Sequence, residues 1–417
     1  MNRVLYPGPR CGSVTVPASK SHAQRLILAA ALSSSPHTVI CHGISRDIRA
    51  MCDCLNACCA GIRTEENRII VTPYTPDTRT VSVLPCGESG AVLRFLLPVA
   101  GALGIPAVFR MEGRLIDRPL SPLLDALSAH GMSFRYGGKS LHCSGHLTPG
   151  DFRIPGNISS QFVSGLLFAL PLLNGESRLT VSGEPVSAGY VRMTEDVLRL
   201  AQVPFSHGSG VWEVRGHAAY EPPSVLYTEA DWSGAAVFLC MGALSPAGVT
   251  VSGPELSSHQ PDRAVLDILR RFGADVTVSG QDITVRGNDL SACDVDVSAC
   301  PDLMPVLCAV AAGAKGVSRI TGAGRLRGKE TDRLLTVKLA LDPLGADLRE
   351  TEDGILITGH SSLNGGAVPS SGDHRIAMSA AVAASLCDSP VIVENTDCTD
   401  KSFPLFWETL NSLEAYI

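Results

Sequence analysis

Six stretches of the chain are apolar nearly all round, and each begins just after a polar cluster. They are PASKSHAQRLILAAAL, CGESGAVLRFLLPVAGAL, GNISSQFVSGLLFALPLL, EADWSGAAVFLCMGAL, ACPDLMPVLCAVAAGA and SGDHRIAMSAAVAASL. Helices without a polar face belong in an interior. Their starts, near Ser19, Ser89, Ser159, Asp231, Asp302 and Asp373, recur every 70 residues or so (roughly), the mark of an internal repeat. A β-branched stretch follows each one, as in HTVICHGI, SRLTVSG and GVSRITGAG. Next comes an amphipathic helix such as RAVLDILRRF, apolar at helical spacing and charged on the other side. Short alternating strands such as FGADVTVSG and QDITVRG complete the unit. Each unit reads β-α-β-α-β-β. Six of them predict an α/β fold of two domains with three units each, the apolar helices wrapped by sheet. A six-unit solenoid is the alternative, but neither end carries an atypical capping unit.

Ser, Asp and Asn at the helix starts are ordinary N-caps. Capping does not explain Lys20, Arg25, Arg94, Gln161, His374 and Arg375 in the same first turns. Cations are unfavourable there, because the helix N-terminus already carries the positive end of the macrodipole. They make sense where an anion is held by dipole and side chains together. Equivalent ends of equivalent repeats lie on one side of a domain, so two facing domains would aim several helix N-termini into one cleft.

Composition sharpens this picture. The 417 residues are 45% hydrophobic and 18% charged, with a formal net charge of -7. No global basic field points to nucleic acid, so anion capture must be local. MNRVLYPGPR is not an apolar signal region, and no run of about 18 apolar residues offers a membrane span. Fourteen cysteines include the cluster CDCLNACC, with Cys52, Cys54, Cys58 and Cys59. Its spacing is not that of a zinc site, and the thiols read as reduced groups of a cytoplasmic protein.

Nine motifs occur in order from near residue 3 to near residue 410: VPASKSHAQR, CGESGAVLR, DRP, ISSQF, SAGY, PDLMP, GKETDRL, GDHRIAM and CTDKSFP. With them the chain resembles the enolpyruvyl transferases, and among these the EPSP synthase (3-phosphoshikimate 1-carboxyvinyltransferase) family. The resemblance implies a two-domain inverted, or inside-out, α/β barrel of six βαβαββ repeats, three per domain. It also implies that residues 1-18 join 229-417 in one domain, that 19-228 form the other, and that the active site lies in the interdomain cleft. The implied reaction moves the enolpyruvyl group of phosphoenolpyruvate to the 5-hydroxyl of shikimate 3-phosphate, with release of phosphate, in the shikimate route to chorismate and the aromatic amino acids.

Residue by residue, the resemblance implies that Lys20, Ser21, Arg25, Ser159, Ser160, Gln161, Ser187, Tyr190, Asp302 and Lys329 bind shikimate 3-phosphate. Phosphoenolpyruvate falls to Lys20, Gly90, Arg118, Gln161, Arg333, Arg375 and Lys401. Arginine suits this work, since its planar fork meets carboxylate or phosphate with two hydrogen bonds. Asp302 matches the carboxylate on the reacting hydroxyl, Glu330 the one beside the methylene carbon, and Lys20 a proton relay. No metal and no organic cofactor are expected, nor any nucleic-acid or membrane partner. The expected protein is a monomer that closes on its anions. Glyphosate is an expected inhibitor, with Gly90 and Ala91 setting the response. Departures from the family pattern stand at Glu88, Ala91, Arg325 and Gly328. Two rival readings are a transferase acting on UDP-N-acetylglucosamine and a non-catalytic scaffold of the same fold. The first relies on a Cys in the loop that here reads EGRLIDRP; the second is opposed by intact Lys20, Asp302, Glu330 and Lys401.

Overall fold

A computed structural model describes residues 1–183, 187–287 and 289–415. It falls into two compact units, Lys20–Thr228 and the combination of Met1–Ser19 with Glu229–Ile417. The first contains helices α1 (Lys20–Ala31), α2 (Arg46–Asn56), α3 (Gly90–Ala102), α4 (Ser121–Ala129), α5 (Ser160–Ala169) and α6 (Ala188–Leu200). The second contains α7 (Trp232–Ala243), α8 (Val265–Arg271), α9 (Met304–Ala311), α10 (Arg333–Leu341), α11 (His374–Ala383) and α12 (Phe406–Asn411).

Odd-numbered helices are the six apolar stretches, and they lie inside. Every residue of α7, α9 and α11 is buried. Even-numbered helices bury one stripe only: α2 turns Ile48, Met51, Cys52 and Leu55 inward. Removing each large apolar side chain from water contributes about 1.5–3 kcal/mol, which favours placing the all-apolar helices centrally.

Around these helices stand six small sheets among the described residues. The second repeat shows their common plan. Ser82–Gly87 runs parallel to Ala107–Met111, and α3 makes the crossover that a parallel pair requires. After α4, the hairpin strand Ser140–Gly145 joins antiparallel to Ala107–Met111, with Met132–Gly137 at the edge. Repeats three and five follow the same order.

Each unit is completed by chain from far along the sequence. In the first unit, Val225–Tyr227 supplies the parallel partner of His37–Ile40. In the second, Arg10–Thr15 does the same for Val249–Ser252, and Arg3–Leu5 pairs antiparallel with Val391–Glu394. Thus the N-terminal segment is structural in the second unit. There Ser19 N–H also donates to the Glu229 carbonyl at 2.7 Å, and Asp231 N–H to that of Pro17 at 2.9 Å.

Candidate active site

In the unit Lys20–Thr228, the first turns of α1, α3 and α5 are tied to one another by polar side chains. Gln24 of α1 donates from Nε2 to the Asp47 carbonyl at 2.8 Å and to Ser89 Oγ at 3.2 Å. Ser89 precedes α3, and its hydroxyl serves this link rather than capping its own helix. Arg94 of α3 donates from Nη1 to Gln161 Oε1 of α5 at 2.7 Å. This pairing depends on close helix contact, because a Cβ at Gly165 would lie 2.2 Å from the Arg94 carbonyl oxygen.

Within this framework the candidate residues take distinct places. Lys20 Nζ lies 3.0 Å from Asp47 Oδ2, an ion pair that holds the ammonium at the start of α1. Gly90 opens α3. A Cβ there would stand 2.6 Å from Arg94 Nη1, 3.0 Å from Arg118 Nη1 and 3.5 Å from Gln161 Oε1, so three polar ends converge on this point of backbone. Ser159 caps α5, accepting from Gln161 N–H at 3.3 Å, and Ser160 is buried beside it. Ser187 precedes α6 in a left-handed backbone conformation, φ 55°. An L side chain holds that conformation only at a cost, of order 1–3 kcal/mol.

Arg25 is positioned differently from a surface anion holder. At 2% exposure, it donates to Thr194 Oγ1 at 2.8 Å, the Ser21 carbonyl at 2.6 Å, Ser164 Oγ at 3.3 Å and the Tyr190 carbonyl at 3.0 Å. Its guanidinium also sits over the Phe95 and Tyr190 rings. Burial pulls the group down to about 10, against the pull of Tyr190. Four protein bonds leave at most one of its five N–H donors for a ligand.

The unit formed by Met1–Ser19 and Glu229–Ile417 gathers its own helix starts around Arg333, the first residue of α10 and 2% exposed. Arg333 meets Asp373 through Nε and Nη2 at 2.8 and 3.2 Å, Asp302 through Nη1 at 2.7 Å, and Glu330 through Nη2 at 3.0 Å. Burial alone would lower this guanidinium, but Asp373, Glu330 and Asp302 raise it. Asp373 is fully buried and also caps α11, accepting from Arg375 N–H at 2.9 Å. Asp302 lies in the 3-10 turn Pro301–Leu303 ahead of α9, and its carboxylate makes ion pairs. Lys329 Nζ stands 3.7 Å away, and Arg375 Nη2 3.5 Å. Burial would raise Asp302, yet Lys329, Arg375 and Arg333 together hold it well below the usual carboxylate range. Lys401 Nζ lies 3.5 Å from Glu330 Oε1.

Lys329, Glu330, Arg333, Asp302, Arg375 and Lys401 are therefore brought together from four separate motifs. Gly90, Arg118 and Gln161 form a second group, with Arg94 beside it, and Lys20 is linked toward it through Asp47, Gln24 and Ser89. Sequence reasoning assigned no role to Asp47 or Asp262, and to Asp373 only that of an N-cap. Each carries an ordinary signal, an acid in a helix's first turn, at its cap or after a proline. Their importance comes from tertiary partners.

The family model for EPSP synthase (3-phosphoshikimate 1-carboxyvinyltransferase) matches residues 6–410, and the chain belongs to that family. It is 37% identical over 410 residues to the 3-phosphoshikimate 1-carboxyvinyltransferase of Clostridium kluyveri, covering 97% of this chain and 96% of that one. The protein of the same name from Brachyspira hyodysenteriae is 36% identical over 423 residues, covering 100% of both. An EPSP synthase structure from Acinetobacter baumannii aligns with TM-score 0.81 at 25% identity, covering 99% of each chain.

Proposed function

We infer that the chain transfers the enolpyruvyl group of phosphoenolpyruvate to the 5-hydroxyl of shikimate 3-phosphate. The products are 5-enolpyruvylshikimate 3-phosphate and phosphate, a step of aromatic amino-acid biosynthesis. One observation carries the assignment of roles: Lys329, Arg333, Arg375 and Lys401 stand against Asp302 and Glu330 at the starts of α9, α10 and α11. A cluster of that kind can exchange its internal carboxylates for those of a substrate.

In this reading Arg118, Arg333, Arg375, Lys401 and Lys20 take the carboxylate and phosphate of phosphoenolpyruvate, beside the Gly90 backbone and Gln161. Ser21, Arg25, Ser159, Ser160, Gln161, Ser187, Tyr190 and Lys329 hold shikimate 3-phosphate. Asp302 stays ionised under the surrounding cations, which suits a carboxylate that receives the proton of the attacking hydroxyl. Glu330 delivers a proton to the methylene carbon, and Lys20 relays protons in exchange with Asp47. The intermediate collapses with expulsion of phosphate, whose growing charge the cations stabilise, while its methyl group gives up a proton so that the vinyl double bond re-forms. Both groups of residues serve one pair of substrates. Glyphosate competes for the phosphoenolpyruvate residues. The enzyme works as a monomer in the cytoplasm, a setting in keeping with buried thiols such as Cys41, Cys240 and Cys308 kept reduced.

Phosphate release tests the assignment directly. It should require phosphoenolpyruvate and shikimate 3-phosphate together. Release with UDP-N-acetylglucosamine as the acceptor, or tight binding of both substrates without turnover, would replace this reading with one of its rivals.

A further inference from the structure

One buried acid in the second unit is not used by this mechanism. Asp262 follows Pro261 in the 3-10 turn Pro261–Ala264 that leads into α8, and it is 1% exposed. Its Oδ2 accepts a hydrogen bond from Ser233 Oγ in the first turn of α7. Its Oδ1 is buried and has no hydrogen-bond partner among the described residues. Such an oxygen is costly to leave ionised without a matching charge.

The groups that act on Asp262, through charge or through the Ser233 hydrogen bond, come from several elements. Asp231 and Ser233 belong to the start of α7, Cys300 and Asp302 to the turn before α9, and Arg375 to α11. Three carboxylates thus act on one guanidinium, since Asp302, Asp262 and Asp231 all favour the charged form of Arg375. Arg375 is not fully satisfied by them. Its Nε is also buried without a hydrogen-bond partner among the described residues, and its Nη2 reaches only to 3.5 Å from Asp302 Oδ2. An unmet donor and an unmet acceptor thus belong to two buried groups whose charges act on each other. Burial first, and then the charge on Asp302, push Asp262 up to about 6, against the pull of Arg375 and the Ser233 hydroxyl.

We propose that Asp262 is a positioning residue for Arg375: ionised, it keeps that guanidinium in the carboxylate cluster, and protonated, it frees it for an anionic substrate. The inference rests on the reading of Arg375 as a ligand of phosphoenolpyruvate. When the substrate carboxylate takes Arg375, the carboxylates left behind repel one another, and one of them takes a proton from solvent. Asp302 is a poor candidate, because Lys329 and Arg333 still hold it ionised. The proton goes to Asp262, whose carboxylate oxygen forms an O–H bond as a hydronium or buffer acid of the solvent gives one up. Binding of phosphoenolpyruvate is then linked to proton uptake and weakens as pH rises through the Asp262 titration.

Steady-state KM values for each substrate between pH 5.5 and 8.5, for the native enzyme, Asp262→Asn, Ser233→Ala and Arg375→Lys, test this. From pH 6 to 8, KM for phosphoenolpyruvate should climb about ten-fold more in the native enzyme than in Asp262→Asn. KM for shikimate 3-phosphate should respond alike in both. Ionisation of the substrate's own phosphate is common to the two proteins and cancels. Ser233→Ala removes the bond that favours the ionised acid, so its inflection should move to higher pH; this variant carries the test if Asp262→Asn does not fold. An unchanged pH slope in Asp262→Asn, or equal shifts in both KM values, overturns the proposal while a raised KM in Arg375→Lys leaves the substrate assignment standing. An unchanged KM for phosphoenolpyruvate in Arg375→Lys overturns that assignment, and this inference with it.

Discussion

Gly90→Ala isolates the geometry of the proposed phosphoenolpyruvate site from the stability of the fold. The position opens α3 and is buried, with backbone an L residue can adopt. Alanine favours a helix over glycine by up to about 1 kcal/mol, so the backbone itself opposes nothing. The added methyl, however, would stand 2.6 Å from Arg94 Nη1 and 3.0 Å from Arg118 Nη1, where ordinary contact begins at 3.4 Å. The shortfalls, 3.4 − 2.6 and 3.4 − 3.0, are about 0.8 and about 0.4 Å. Both neighbours are the ends of flexible side chains, so they move rather than the helix. A displacement near 1 Å at a substrate-holding group costs up to about 100-fold in rate. We expect kcat/KM for phosphoenolpyruvate to fall about 10- to 100-fold, equivalent to about 1.4–2.7 kcal/mol. Melting temperature should hold or rise, KM for shikimate 3-phosphate should stay within about two-fold, and glyphosate inhibition should weaken alongside. Steady-state kinetics with each substrate varied, together with calorimetric melting, check this. A lower melting temperature with both KM values disturbed would refute the claim that only the guanidinium ends yield.

Asp302→Ala should retain shikimate 3-phosphate binding by titration calorimetry while turnover falls about 100- to 10,000-fold, as for a lost proton acceptor. Arg333→Met leaves Asp373, Asp302 and Glu330 without their shared cation; the buried pairs at stake predict a loss of about 3–5 kcal/mol, read in denaturant unfolding. Asp262 rises from an ordinary 3.8 to about 6 in the fold. Its contribution to stability is therefore greatest below 3.8, lost as pH climbs to about 6, and constant beyond. Asp262→Asn, which cannot ionise, should be more stable than the native chain at pH 8 by on the order of 3 kcal/mol, with the gain vanishing toward pH 4. Asp302 has the opposite sign. Its lowered carboxyl stabilises the fold at neutral pH, and that contribution is lost only as acid protonates it below the usual carboxylate range.

The repeat was legible because its signal is local: an apolar helix after a polar cluster, then a β-branched run, then an amphipathic helix. Sheet completion was less so. Arg3–Leu5 beside Val391–Glu394 and Arg10–Thr15 beside Val249–Ser252 are pairings across hundreds of residues, with no local trace. The family motifs implied a domain change for the N-terminal segment, and not which strand it meets. At the site, cations at helix starts drew notice because they break the dipole rule. Their carboxylate partners break no rule. Asp47 lies in the first turn of α2 and Asp373 caps α11, each a favoured place for an acid. Arg25 shows the converse limit: an exception to the dipole rule that is met largely by protein acceptors from α5 and α6.

Phosphorus NMR of one reaction mixture follows both anions at once. If the gathered helix starts carry out the proposed transfer, the phosphoenolpyruvate resonance is replaced one for one by inorganic phosphate, while the shikimate phosphorus moves to its enolpyruvyl product and stays esterified. Inorganic phosphate appearing with the shikimate resonance unchanged, or drawn from the shikimate ester itself, would contradict the account.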